Sequence, residues 1–136
     1  MSESWPIFKD PNGILVPIEF GNLPFEPKRI FYVLDVPKGE ERGMHAHYST
    51  QQIITCLQGE ILVKLHDGST SQEYRLCPNE WVFVDKLTWD SQVFLTGNDV
   101  LMSMCSTKYN KSDYIEDFTE FMQIHTNLYG GLTCSN

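Results

Sequence analysis

The sequence predicts an all-β protein, an antiparallel sandwich or barrel, on three observations. Runs rich in Val, Ile, Phe and Tyr recur along the chain, divided by Gly, Pro, Asn and Asp. The intervals between runs are too short for the crossovers that join parallel strands. Asp67-Gly68 supplies a tight turn directly after one of the runs.

The elements follow in order. Ile14–Glu19 comes after Asn12-Gly13, and Arg29–Val36 lies between Pro27 and Pro37. Gln52–Leu57 and Glu60–His66 flank Gly59, and the Asp67-Gly68 turn leads into Ser71–Leu76. Trp81–Val84 follows Pro78-Asn79, while Ser91–Leu95 and Val100–Ser106 flank Gly97-Asn98. One helix is expected near the C-terminus: Ser112 suits its cap, Asp113 and Glu116 its first turn, and Ile115, Phe118, Phe121 and Met122 share a face. Beyond His125 no period remains and two glycines adjoin, so residues 126–136 read as a loose tail. No repeat or linker divides the chain, which reads as a single domain over residues 1–136.

The 136 residues are 41% hydrophobic, 12% aromatic and 21% charged, a composition that favours a packed core over disorder. Ten Lys and Arg against 18 Asp and Glu leave a net charge of −8, and the three arginines are scattered. That balance lacks the basic footprint of nucleic-acid or anionic-membrane binding. The start has no basic segment leading into an apolar core, and no apolar run approaches the roughly 18 residues of a membrane span. Cys56, Cys77, Cys105 and Cys134 contain no Cys-x-x-Cys pair, so free thiols in a cytoplasmic protein are expected.

The stretch that carries chemistry is Gly39-Glu-Glu-Arg42-Gly43-Met-His45-Ala-His47, followed by Gln52 and Gly59. Side chains alternate along a strand, so His45 and His47 share a face with Ala46 opposite. A lone histidine there would read as a solvated polar residue. Two of them, with Arg42 upstream, point to a pocket in which imidazole, with an ordinary pKa of about 6.5, can take and return a proton near neutral pH.

This spacing resembles the first motif of the cupin superfamily, with Gln52 at the position where metal-binding members carry glutamate and Asp90 at that of their later histidine. The resemblance extends to the nucleotide-sugar 3,4-ketoisomerases through Lys28-Arg29-Ile-Phe-Tyr32-Val-Leu-Asp35-Val, Arg42-Gly43-Met-His45-Ala-His47, Cys56-Leu-Gln-Gly59, Asp67-Gly68 and Ser112-Asp113-Tyr114-Ile115. It runs from about Asp10 to Phe121. It implies a cupin-type antiparallel barrel, or jelly roll. It also implies migration of the keto group of dTDP-4-keto-6-deoxyglucose from C4 to C3 through an enediol, preparing a 3-amino-3,6-dideoxyhexose.

The resemblance further implies that His45 and His47 are the acid/base pair and that Arg42 and Tyr32 face the reacting carbons. Tyr32 equally suits a packed aromatic on an inner strand face, and Arg42 a surface charge. The diphosphate calls for cations: Arg29, whose guanidinium forks onto phosphate oxygens, ahead of Lys28 and Lys64. Gln52 lies at the pocket. Trp89 suits either base stacking or packing. Asn12 and Asp90 fall where the family carries arginine or tyrosine and histidine or arginine, respectively, and are expected to bear on which face of C4 receives the proton. No electron leaves the substrate, and no Gly-x-Gly-x-x-Gly run occurs, so no nicotinamide is expected; the resemblance further implies a site without cofactor or metal. Relatives pair as homodimers that exchange the N-terminal strand region, here around Ile14–Glu19, which covers edge strands.

Other readings stay open on the sequence alone. One is a metal-dependent cupin enzyme using His45, His47 and Asp90 as a two-histidine, one-carboxylate set. A second is a sugar-nucleotide binding protein without catalysis. A third is an epimerase of the related deoxysugar cupins, abstracting a proton beside a keto group.

Overall fold

The computed structural model describes residues 2–129. Its strands are β1 (Glu3–Ser4), β2 (Phe8–Asp10), β3 (Gly13–Leu15), β4 (Arg29–Val33), β5 (Glu41–His47), β6 (Gln52–Gln58), β7 (Ile61–His66), β8 (Ser71–Leu76), β9 (Glu80–Val84), β10 (Trp89–Phe94), β11 (Val100–Cys105) and β12 (Tyr114–Ile115). One helix, α1 (Phe118–Tyr129), follows. The strands form two five-stranded sheets, ordered β1-β9-β6-β11-β4 and β12-β5-β10-β7-β8, and a separate β2-β3 hairpin. Every pairing is antiparallel. This is the jelly-roll barrel expected from the sequence.

Alternation sorts side chains between the inside and outside of the barrel. Ile54, Cys56, Ile61, Val63, Leu76, Val82, Val84, Phe94 and Leu101 fill the space between the sheets. The outer face of the first sheet packs Ile53 and Met104 under Trp5, Val16, Ile18, Leu23 and Phe25. The outer face of the second packs Ala46, Ile115 and Trp89 under Phe121 and Met122 of α1. Gly59 holds φ +81 where the chain passes between sheets, and a Cβ there would lie 2.1 Å from Asp99 Oδ1. The Asp99 carboxylate fills that space because it accepts the N–H groups of Glu60, Thr96 and Gly97.

Three expectations change. The strand expected at Ile14–Glu19 stops at Leu15, because Pro17 has no N–H to donate to a ladder. Ser112 does not cap the helix. It lies in a short turn, Lys111–Asp113, capped by Asn110, and the Asp117 carboxylate accepts the Glu120 N–H at 3.0 Å where α1 begins. Ile115 accordingly belongs to a strand, paired with Ala46. The helix also continues to Tyr129, into the segment expected as a tail; residues 130–136, with Cys134, lie outside the described residues.

Candidate active site

The inner face at one end of the barrel is polar. Arg29, Cys105 and Gln52 lie in register across β4, β11 and β6. Opposite them, β5 and β10 carry His45 and Asp90 as direct cross-strand partners. The cavity between, of about 90 Å³, is lined by Arg42, His45, Gln52, Asp90, Gln92 and Ser103 over a floor of Phe31, Val33, Ile54 and Leu101.

Arg42 and His45 are an odd number of residues apart and would fall on opposite faces of a regular strand. They share the cavity because β5 bulges: Ser91 pairs Gly43, Asp90 pairs His45, and Met44 is left over. Gly43 and Met44 take φ of +87 and +60. A Cβ on Gly43 would sit 3.0 Å from Gln92 Oε1 and 3.1 Å from the Asp90 carbonyl, so glycine is what lets the two strands close there.

His47 follows on the same side, its ring 5.0 Å from that of His45. Tyr114, the β12 partner of His47, packs against both imidazoles, at 4.4 Å from His47 and 5.1 Å from His45. The Arg29 guanidinium donates to the Tyr114 hydroxyl at 3.5 Å and lies over the Tyr109 ring. Asp113 anchors the segment, accepting Ser49 N–H at 2.9 Å and Ser49 Oγ–H at 2.7 Å, with Thr50 Oγ1 a third donor.

Burial governs the protonation of the site. Burial, then His45, then Arg29 push His47 down to about 4, against a smaller upward pull from Asp113. Burial lowers His45 as well, partly offset by the Gly43 backbone and Glu116. Burial raises the Asp90 carboxyl to about 7, against one hydrogen bond from Gln92. At neutral pH both imidazoles are therefore free bases. Among the described residues, buried polar side-chain atoms without a hydrogen-bond partner include Arg29 Nε, His47 Nε2 and Asp90 Oδ2. A fold leaves such atoms unpaired at a cost of about 1–3 kcal/mol each, which a bound polar ligand would relieve.

The site thus brings together His45, His47, Arg42, Gln52, Asp90 and, beside Tyr114, Arg29. It leaves four expected residues elsewhere. Tyr32 points out from edge strand β4, 67% exposed, because it alternates with the inward Phe31 and Val33. Lys64 lies on the outer face of β7 in an ion pair with Glu41 at 3.7 Å. Trp89 also faces outward, packing on Phe118 and Phe121 at 5.3 and 5.8 Å, so it docks the helix. Asn12 is exposed in the β2-β3 turn. Sequence reasoning assigned no role to Tyr114 or Gln92. Tyr114 lies within Ser112-Asp113-Tyr114-Ile115, and the signal for Gln92 is its position two residues past Asp90 on one strand.

His45, His47 and Asp90 each offer an atom within 4.8 Å of the others, the one such set among the described residues that a cation could bridge. Gln52 contributes only a neutral amide beside them.

The FdtA family model (WxcM-like, C-terminal) matches residues 3–126. The chain belongs to the FdtA family. Its relatives within reach of this member include the TDP-4-oxo-6-deoxy-alpha-D-glucose-3,4-oxoisomerase of Aneurinibacillus thermoaerophilus, 36% identical over 114 residues, 82% of each chain. A 3,4-ketoisomerase from Helicobacter canadensis superposes with a TM-score of 0.86 at 29% identity, covering 91% of this chain and 95% of its own. A mutant of QdtA, a 3,4-ketoisomerase from Thermoanaerobacterium thermosaccharolyticum in complex with TDP-4-keto-6-deoxyglucose, gives 0.87 at 26% identity, covering 93% and 94%. This FdtA-family chain keeps one imidazole, His45, at a barrel cavity and a second, His47, beside it, a geometry fit for moving a proton between adjacent carbons.

Proposed function

We propose that the protein is a sugar-nucleotide 3,4-ketoisomerase acting on dTDP-4-keto-6-deoxyglucose. The observation that carries this reading is the adjacent pair of neutral imidazoles, half-buried His45 at the cavity and buried His47 beside it, in a chain whose FdtA-family relative is a 3,4-oxoisomerase. One imidazole takes the C3 proton, an enediol forms, and a proton is returned to C4. Arg42 faces the reacting end of the sugar, and its guanidinium suits the oxygen on which charge develops. The unpaired Nε of Arg29 supports a role for its guanidinium in holding the diphosphate. Gln52 and Asp90 line the sugar pocket. No net oxidation occurs, so the reaction calls for no nicotinamide, and its product suits an aminotransferase.

The functional unit is a homodimer that exchanges its N-terminal segments. Ile30, Tyr32 and Leu34 are 51%, 67% and 47% exposed on or just beyond edge strand β4, and Phe8, Ile14 and Leu15 are about as exposed on the β2-β3 hairpin. Mutual coverage of these apolar surfaces and of an open strand edge supports that assembly. The chain works as one domain in the cytoplasm; Cys56, Cys77 and Cys105 are free thiols, in keeping with a reducing compartment. No helix among the described residues is long and apolar enough to cross a membrane.

Proton NMR of chelator-treated protein with dTDP-4-keto-6-deoxyglucose in deuterated water tests the reading. A 3-keto product carrying deuterium at C4 is expected, and its coupling constants assign the C4 configuration. Deuterium at C5 would make the protein an epimerase. Turnover that disappears on chelation and returns with iron or manganese would mean metal-dependent chemistry, and binding without turnover a carrier.

A further inference from the structure

The segment Ser112-Asp113-Tyr114-Ile115 does not line the cavity, yet it is fastened on both flanks of Tyr114. On one side the Asp113 carbonyl accepts the Tyr48 N–H at 2.9 Å, and the Asp113 carboxylate accepts from Ser49 and Thr50. On the other, Ile115 is 1% exposed, pairs with Ala46 and packs under Phe121. A side chain carried on backbone held in this way keeps a fixed place.

Tyr114 uses that rigidity in two directions. Its ring lies 4.4 Å from that of His47, tilted by 58°, and 5.1 Å from that of His45, edge to face at 73°. These spacings are those of favourable aromatic contact, so one ring limits the rotation of both imidazoles. His47 Nε2 has no hydrogen-bond partner, which leaves packing rather than a bond at that atom to hold the ring. In the other direction the Tyr114 hydroxyl accepts from the Arg29 guanidinium at 3.5 Å. Arg29 begins β4, the edge strand of one sheet, while Tyr114 lies on β12, the edge strand of the other, and no backbone ladder joins the two. The contact is thus a side-chain link between the sheets. Among the described residues no carboxylate pairs with Arg29, which lies over the rings of Tyr109 and Phe31 at 5.5 and 5.9 Å. Its charge is left for an anion from outside the chain.

We propose that Tyr114 is a positioning residue that holds the two ends of the substrate site in register: its ring orients His45 and His47 for proton transfer, and its hydroxyl orients the Arg29 guanidinium for the diphosphate. The two duties separate in kinetics. The hydroxyl acts on a contact that ground state and transition state share, and so enters KM. The ring acts on the geometry of the reacting groups, and so enters kcat.

This inference rests on the ketoisomerase reading. Wild type, Tyr114→Phe and Tyr114→Leu are assayed side by side on dTDP-4-keto-6-deoxyglucose, with dTDP affinity and binding stoichiometry measured by calorimetry. Tyr114→Phe keeps the ring and loses the hydroxyl: Kd for dTDP and KM are expected to rise about threefold or more, with kcat lowered by less than about threefold. Tyr114→Leu loses both, and its kcat per binding site is expected to fall about tenfold or more, the scale of a misplaced catalytic group. A tyrosine that merely supports the fold would lower kcat only in proportion to the folded sites that the stoichiometry counts, and that result overturns the proposal. A smaller rise in the Tyr114→Phe Kd, or a larger loss of its kcat, overturns it as well. Should Tyr114→Leu not fold, Tyr114→Met, an unbranched filler without a ring, is read by the same limits; should neither fold, the Tyr114→Phe limits decide alone. Absence of a 3-keto product from wild type would instead refute the ketoisomerase reading, while the calorimetric comparison would still report on the link to Arg29.

Discussion

Arg42 and His45 face one cavity although three positions separate them, because the bulge at Gly43 and Met44 absorbs a residue between them. The cation and the first imidazole of the site are thereby held on a strand rather than on a loop. Gly43 is the hinge of that arrangement. Gly43→Val should cost about 1–2 kcal/mol through the left-handed backbone alone. It should also cut kcat by about tenfold or more as the strands part near Gln92. Thermal unfolding and steady-state kinetics of the folded variant check both, and unchanged kinetics would detach the bulge from catalysis.

Removing either imidazole should separate binding from chemistry. His45→Asn and His47→Asn are each expected to lower kcat by about 10²–10⁴-fold while dTDP affinity, measured by calorimetry, stays within a few-fold. A variant that keeps its rate would remove that histidine from the acid/base pair.

The depressed imidazoles place the acid limb of the pH profile. His45 is lowered by burial and His47, by burial, His45 and Arg29, to about 4, with Asp113 and Glu116 pulling the other way. The base form therefore persists well below the ordinary imidazole range. kcat/KM, which follows the free enzyme, should hold on descending through pH 6.5 and fall only below it, with the His47 step toward about 4. A limb centred at 6.5 or above would contradict this.

Asp90 shapes stability in the opposite sense. The folded protein keeps its carboxyl proton up to about pH 7, whereas the unfolded chain releases it near 3.8. Between those values the folded state binds the extra proton, so this group's contribution to stability falls as pH rises, with the full cost present above about 7. The uncharged Asp90→Asn variant should match wild type near pH 4 and exceed it at pH 8 by on the order of a few kcal/mol in urea unfolding. The lowered His47 acts inversely, destabilising as pH falls from 6.5 toward 4, and is common to both proteins, so it cancels in the comparison.

Trp89 and Lys64 should behave as structural and surface residues. Trp89→Ala removes the contact with Phe118 and Phe121 and should cost about 3 kcal/mol, with dTDP affinity retained by the folded fraction. Lys64→Met breaks an exposed pair with Glu41 and should change stability by less than ~1 kcal/mol and affinity by less than about twofold. A tenfold loss of nucleotide affinity in either would restore it to the binding site.

Most strands were legible because β-branched and aromatic runs broken by Gly and Pro specify extended chain locally. Ser71–Leu76 was read to the residue, and its neighbours to within a residue or two. The His45–Ala46–His47 alternation was legible for the same reason, since period two is a property of the strand itself. The helix start was not. Asp113 and Ile115 fit a helical period, but the Asp113 carboxylate binds the Ser49–Thr50 turn and Ile115 pairs with Ala46, and those partners are some sixty residues away. The facing of Tyr32, Lys64 and Trp89 was likewise set by which side of each strand met the core. By itself, then, the sequence determined the barrel, the paired imidazoles and the family, because each is written in local pattern and spacing. The bulge that joins Arg42 to His45, the burial that raises the Asp90 carboxyl and the seating of Tyr114 on both histidines were decided only in the tertiary structure, because each depends on strands that the chain brings together from afar.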